Sequence, residues 1–427
     1  MGKPQVNHDQ ESSSSDTEET SKSEENRPRL LFMTSVPFFQ WRGSSIRIGF
    51  NVQALAELGY EVDLLTLPVG ATKTVPGVTV HRVANPFGVG NIPIGPSLHK
   101  LVFDLLILFK ALRMVTRRSY AVVHAVEEVG ILGLLVGRLI GAKVVFEKHS
   151  DPSSHRDKLL KNLVLSLYRR VEAIAIRYAD VVIGTGDGLV EQAMAIAPRQ
   201  RVHHIFDIPS SLAESDAGQV RQIKGNLRWG DDEVLALYVG SFAVYQGIDL
   251  MFESFHLAVQ AHPQLRLVIV GGSPEQIAAR KEWLNEKGIA EAVRFVGLID
   301  PEKLPNYISA ADFLLSPRSS GINTPLKLLD YLKAGRAILA TDNVANRRII
   351  DEQVAVLKMA ETKDFAEGMV ELARDARLRR RLGREGRKIV DKVYNYRQFK
   401  VLLKGCYEKL VALSLCLMED LPYLAMA

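Results

Sequence analysis

Cysteine is nearly absent. The 427 residues hold two, Cys406 and Cys416, both late and within an apolar helical pattern. A thiolate metal centre or a disulfide framework needs clustered cysteines, so both are excluded as organising chemistry and a reducing compartment with buried thiols is expected. Long hydrophobic runs are missing as well. Asp104, Arg138 and Lys143 interrupt the best candidates, and none reaches the roughly 18 apolar residues that suggest a membrane-spanning helix. The start has no basic segment leading into an apolar one, and Val6 breaks the acylation pattern that Gly2 would begin. Neither a secretory signal nor an N-terminal lipid is therefore expected, and the expected location is cytoplasmic.

What is present reads as an ordinary soluble composition, 47% hydrophobic and 24% charged, at a length that suits two well-buried domains. Residues 1–27 carry seven acids against three bases, the signature of a disordered tail. Taking that −4 from the formal +5 leaves +9 on the remainder, a charge that favours anionic partners.

From Arg29 the pattern alternates. "RLLFMTSVP", "YEVDLLTLP", "VTVHRVA", "YAVVHAV", "AKVVFEKHS" and "ADVVIGTG" read as buried strands with helices between them. After a pause at residues 206–219 the alternation resumes with "VLALYVGSF", "LRLVIVGGS", "VRFVGLI", "DFLLSPR" and "RAILATD". Continuous apolar strands separated by helices predict parallel sheets covered on both faces. The expected fold class is α/β with two doubly wound, Rossmann-like domains, at 28–210 and 211–395. Helices over 396–427 are expected to pack back on the first domain. In such sheets ligands sit beyond the carboxyl ends of the strands.

One stretch concentrates the chemistry: "SPRSSGINTPLKLLDYLKAGRAILATD", residues 316–342. "DFLLSPR" is a strand, Thr324-Pro325 an N-cap with proline at the first helical position, and Gly335 a helix stop. A helix start at a strand end attracts phosphate. Arg318 before it and Lys327 in its first turn would add positive charge, and Asp330, one turn on, would accept hydrogen bonds from ribose hydroxyls.

These residues, with "YVGSF…YQG" and the opening "VPFFQWRGSSIRIGFNVQALAELGYEV", resemble the retaining glycosyltransferases of family 4, glycosyl transferases group 1. The resemblance runs from residue 29 to about 400 and implies the GT-B fold, two facing Rossmann-like domains with a nucleotide sugar in the cleft. It implies a helical extension at the C-terminus, a nucleotide-diphosphate sugar as co-substrate rather than a cofactor, and a hydroxyl acceptor. In the family two glutamates eight positions apart flank the helix start. Asp330 matches the second, and Ile322 stands where the first is expected, beside Asn323 and Thr324. The family's arginine and lysine for the diphosphate fall at Ser241 and Gln246, before Gly247, so both cations are absent there. Arg318 and Lys327 are the expected replacements. Gly43 and Ser44 would let the backbone approach the donor phosphates, with Arg47 one turn into the helix facing donor or acceptor. His149, ending a strand in "VVFEKHSDPSSH", matches the family histidine beside the transferred sugar, while Glu127 or Glu128 would meet the acceptor. No Asp-x-Asp motif lies near the donor loops, so no metal is expected.

Two basic segments remain. Residues 96–120 form an apolar helical face ending in Arg113, Arg117 and Arg118, which suits either core packing with a solvated end or rest on an anionic membrane surface at the inner face. "RLRRRLGREGRK" is interrupted by Glu385 and two glycines and lacks stacking aromatics. A solvated helical face is expected there, not nucleic-acid binding. Two rival readings stay open: a catalytically weak GT-B scaffold, suggested by Ile322, Ser241 and Gln246, and a GT-B nucleotide-sugar epimerase.

Overall fold

The computed structural model describes residues 27–419 except 39–42, 72, 91, 93–97, 151–158, 228–229, 231 and 321–324. Two parallel sheets organise it. The first has the order β3-β2-β1-β4-β5-β6-β7, with β1 (Arg29–Thr34), β2 (Glu61–Thr66), β3 (Val78–Arg82), β4 (Val122–Val126), β5 (Lys143–Lys148), β6 (Val181–Gly184) and β7 (Val202–His204). The second has the order β10-β9-β8-β11-β12-β13, with β8 (Val234–Val239), β9 (Leu265–Val270), β10 (Val293–Gly297), β11 (Phe313–Ser316), β12 (Ala337–Thr341) and β13 (Ala355–Lys358). Apolar runs such as Leu30–Met33, Leu235–Tyr238 and Leu314–Leu315 are fully buried, as strands covered by helices on both faces must be. Two Rossmann-like units with a helical C-terminal region result, as the resemblance implies.

Strand order reverses between β1 and β4 and again between β8 and β11. The crevice outside those strand ends is where such sheets take ligands. It is bordered by Ser35 and Glu127 in one unit and by Gly240 and Pro317 in the other.

The last helix, Tyr396–Glu419, returns to the first unit. Phe399, Leu403, Cys406, Tyr407 and Leu410 join one core with Leu30, Phe32 and Val52, and Lys400 pairs with Glu57 at 2.8 Å. The arginine-rich helix Ala376–Lys392 packs by its glycines. A Cβ at Gly383 would lie 2.1 Å from the Gly335 carbonyl oxygen, and one at Gly386 would lie 2.7 Å from Leu332. Two of its cations turn to local partners: Arg387 to Glu214 and Asp391, Lys388 to Glu385. Arg377, Arg380, Arg381 and Arg384 are exposed, the solvated helical face expected of that segment.

Candidate functional site

In the second unit the loop after β8 is pressed against the loop after β11. Gly247 takes a φ of 70°, and a side chain there would meet the Pro317 carbonyl oxygen at 1.9 Å. Only glycine accepts both conditions. The Ser319 amide donates to the Tyr245 carbonyl at 3.0 Å, and the Tyr238 hydroxyl to the Ser241 carbonyl at 2.9 Å. Two cations meet at this junction. Lys327, the first residue of the helix Lys327–Lys333 that Gly335 (φ 63°) closes, donates to Gln246 Oε1 at 2.7 Å and lies 4.3 Å from the Tyr238 ring centre. Arg318 lies 5.4 Å from the Tyr245 ring centre and donates from Nε to the Ser320 carbonyl at 2.8 Å.

Neither cation has a carboxylate among these contacts. Burial pulls the Lys327 ammonium down to about 7, with Arg318 adding repulsion, and burial lowers Arg318 too. Two desolvated cations side by side at a strand end are receptive to an anion. Ile322, Asn323 and Thr324 lie outside the described residues.

Asp330 sits elsewhere on the same helix. Its two oxygens accept from the Ser210 amide at 2.7 Å and the Ser210 hydroxyl at 2.8 Å. Burial pushes this carboxyl up to about 6 in spite of both bonds. Lys333 Nζ donates to the Ser211 and Ala213 carbonyls at 2.8 and 2.7 Å. One face of the helix therefore grips the chain joining the two units, and the ribose contact implied by the resemblance would have to share a carboxylate already held by Ser210.

Across the crevice, a cavity of about 390 Å³ is lined by Gly43, Ser44, Arg47, His149, Thr185 and Asp207 from one side and by Leu326 and Arg348 from the other. A Cβ on Gly43 would come 2.6 Å from Leu326 Cδ1, so the first helix, Gly43–Glu57, starts where the two units meet. Thr185 and Arg348 carry no motif and were not anticipated.

Behind the cavity lies a buried carboxylate that the sequence motifs did not single out. Glu147, fully buried on β5, accepts from Arg47, from Asn51 Nδ2 at 2.7 Å, and lies 2.8 Å from His124 Nε2 and 3.0 Å from His149 Nε2. His124 Nδ1 is 2.6 Å from the hydroxyl of Tyr407 on the last helix. Burial alone would lift the Glu147 carboxyl, but the Arg47 guanidinium and His149 outweigh it and hold it well below the usual carboxylate range. Burial keeps His124 below the usual histidine range. Arg47 also binds Asp207 at 3.0 Å and the Phe206 carbonyl at 3.1 Å. It lines the cavity, yet turning to a substrate would leave two carboxylates without their cation.

His149 lies at the cavity edge with its side chain 5% exposed. Nε2 faces Glu147, whereas Nδ1 is buried without a hydrogen-bond partner. An orphaned buried polar atom is costly unless a ligand completes it. Glu127, reached at a φ of 55°, accepts from the His149 and Ser150 amides at 2.7 Å each and from the Ser150 hydroxyl at 2.9 Å. It fastens the turn after β5. Glu128 accepts from Lys100 and from the Ser35 hydroxyl at 3.2 Å, beside Asp104, which burial and Glu128 push up to about 7. Among the described residues no group of His, Cys, Asp and Glu is placed to hold a metal ion.

Two family models match the chain: "Glycosyl transferases group 1" over residues 219–389 and "Glycosyl transferase 4-like domain" over residues 42–205. A phosphatidyl-myo-inositol mannosyltransferase of Mycobacterium leprae is 22% identical over 78% of this chain and 81% of its own. The putative glycosyltransferase EpsD of Bacillus subtilis is 23% identical over 83% and 87%. Other matches are partial: a chitobiosyldiphosphodolichol beta-mannosyltransferase of Kluyveromyces lactis, 24% identical, aligns over 36% of this chain and 33% of its own length. Among solved structures, sucrose-phosphate synthase from Thermosynechococcus elongatus superposes with a TM-score of 0.71 at 22% identity, covering 90% of this chain and all of that one. Anabaena HepE in complex with UDP gives a TM-score of 0.69 at 13% identity, with the same coverage.

Proposed function

Starting from a chain that belongs to the GT-B glycosyltransferases by both family models and by fold, we propose that it moves a hexose from a nucleotide-diphosphate sugar to a hydroxyl acceptor with retention at the anomeric carbon. The observation that carries the reading is the pair Arg318, buried, and Lys327, half-buried, side by side at the switch point of the second sheet, with the protonated forms disfavoured by desolvation. A diphosphate there would be met by both positive charges. As the sugar–phosphate bond breaks, negative charge grows on the leaving diphosphate, and cations fixed in advance stabilise it more than they stabilise the ground state. With the charge met by side chains, a metal is not required.

His149 then serves the sugar. With Nε2–H donated to Glu147, Nδ1 keeps its lone pair and accepts from a sugar hydroxyl. The buried carboxylate fixes tautomer and ring orientation while Arg47 and Asn51 fix the carboxylate. The acceptor belongs on the side of the first unit, and a lipid-linked hydroxyl suits its outer face. On the helix Leu98–Val115, Leu101, Leu105 and Phe109 stand exposed at four-residue spacing, close to Arg113 and Arg117. Such a stripe suits an anionic membrane surface. No helix among the described residues is long and apolar enough to cross a membrane.

A panel of nucleotide-diphosphate sugars screened for thermal stabilisation, followed by NMR of the product's anomeric proton, tests the reading. Stabilisation by a sugar nucleotide and a product of unchanged anomeric configuration are expected. Binding without transfer to any acceptor, and without donor hydrolysis, would instead favour a weakly catalytic scaffold.

A further inference from the structure

A second cavity, of about 740 Å³, opens at the outer edge of the first sheet and shares no lining residue with the crevice. Its walls are Val83 and Ala84, just past edge strand β3, and Leu106 and Phe109 of the Leu98–Val115 helix. Its volume falls within the ~300–1,000 Å³ typical of small-molecule sites. Its floor is polar but neutralised: Asp63 accepts from the Tyr120 hydroxyl at 2.7 Å and from Arg118 at 3.2 Å, and lies 2.7 Å from His81 Nε2. Two more cations, Arg113 and Arg117, stand on the rim, exposed and with no ion-pair partner among the described residues. Phe109, at 66% exposure, belongs both to the groove wall and to the apolar stripe outside it.

We propose that this groove binds one anionic phospholipid, its acyl chain along Val83, Ala84, Leu106 and Phe109 and its phosphate on Arg113 and Arg117. The charge is complementary: apolar walls suit a hydrocarbon chain, and the rim cations left over after Arg118 has paired with Asp63 suit a phosphate. The continuity through Phe109 sets the groove mouth at the level of the exposed stripe, where a bilayer surface would lie. The groove rests on the reading of that helix as membrane-facing, and it adds a specific lipid site to a general surface attraction.

The test is calorimetric titration of the full chain with dihexanoyl-phosphatidylglycerol below its micelle-forming concentration, with dihexanoyl-phosphatidylcholine alongside. In parallel, sedimentation with phosphatidylglycerol-containing vesicles reads the surface. Saturable one-to-one binding of the anionic lipid is expected, at least tenfold weaker in Arg113→Glu/Arg117→Glu and in Ala84→Trp, which fills the groove. Ala84→Trp should still sediment with vesicles and keep its melting temperature. Monomeric lipid bound equally by Ala84→Trp, or not bound at all, overturns the groove. Vesicle binding that survives such a result leaves the membrane-facing helix standing alone, and its loss removes both. Binding that appears only when Glu18, Glu19, Glu24 and Glu25 are changed to Gln would make the acidic start of the chain the occupant, and overturns the proposal too.

Discussion

The two walls of the crevice are built on opposite electrostatic plans. On the first unit, Glu147 is surrounded by Arg47, Asn51, His124 and His149, so that its buried charge is met from several directions. On the second, Lys327 and Arg318 are desolvated side by side, their contacts including an amide, a carbonyl and two aromatic rings. The first wall holds a buried carboxylate in place by opposite charge, and the second gathers two desolvated cations. Substitutions should therefore fail differently on the two sides.

The largest effect is expected at Glu147. Glu147→Ala leaves Arg47 and two histidines facing a void, and removing one partner of a buried ion pair costs about 3–5 kcal/mol. Chemical denaturation measures it. Because the folded Glu147 carboxyl lies well below its usual range, its contribution is present above the ordinary carboxylate pKa and lost as pH falls through the folded value. Glu147→Gln should flatten that acid limb. A variant as stable as the parent would mean the hub is not structural.

His149→Ala comes next. An acceptor used mainly in the transition state should lower kcat by roughly 10- to 100-fold while nucleotide affinity and melting temperature change little. A lower melting temperature with intact turnover would reduce His149 to packing.

Lys327→Met should do the reverse of Glu147→Ala. Burial disfavours the ammonium, so the cost to the folded state is complete below about pH 7 and fades as pH rises from there to the ordinary lysine pKa. Removing the charge should raise stability by on the order of 1 kcal/mol, more at pH 6 than at pH 9. A loss at pH 6 would show the lysine already compensated.

Asp330→Asn is expected to have the smallest effect. Since Ser210 occupies both oxygens, affinity for ribose nucleotides and for their 2′-deoxy analogues should fall equally, by less than about 1.4 kcal/mol, or tenfold. A selective loss for the ribose forms would restore the hydroxyl-accepting role.

The contrast between the walls also explains what could be read in advance. Arg318 and Lys327 lie nine positions apart around one helix start, and local sequence places them together. The two doubly wound sheets were legible for the same reason, since each strand is a continuous apolar run. Strands β7 and β13 escaped notice because they are short edges, "VHH" and "AVLK", without such a run. The Glu147 hub draws on residues 47, 51, 124, 149 and 407, which only the fold unites. One signal was available: a carboxylate directly after the apolar run of "KVVFEK", near the end of a largely buried strand, has to find partners. Arg47 lines the cavity as its position suggested, but its guanidinium is taken up by Asp207 and Glu147, and Glu127 is taken up by the turn after β5.

The most direct test of the cationic wall is donor affinity itself, measured by titration calorimetry with the nucleotide-diphosphate sugar that stabilises the chain best. Arg318→Ala and Lys327→Ala should each cost about 1.5–3 kcal/mol, a loss of roughly 10- to 150-fold. For the parent, affinity should also weaken as pH rises through about 7, where Lys327 gives up its proton, and Lys327→Ala should lose that dependence. Donor affinity unchanged in both variants and level across that pH range would contradict the account.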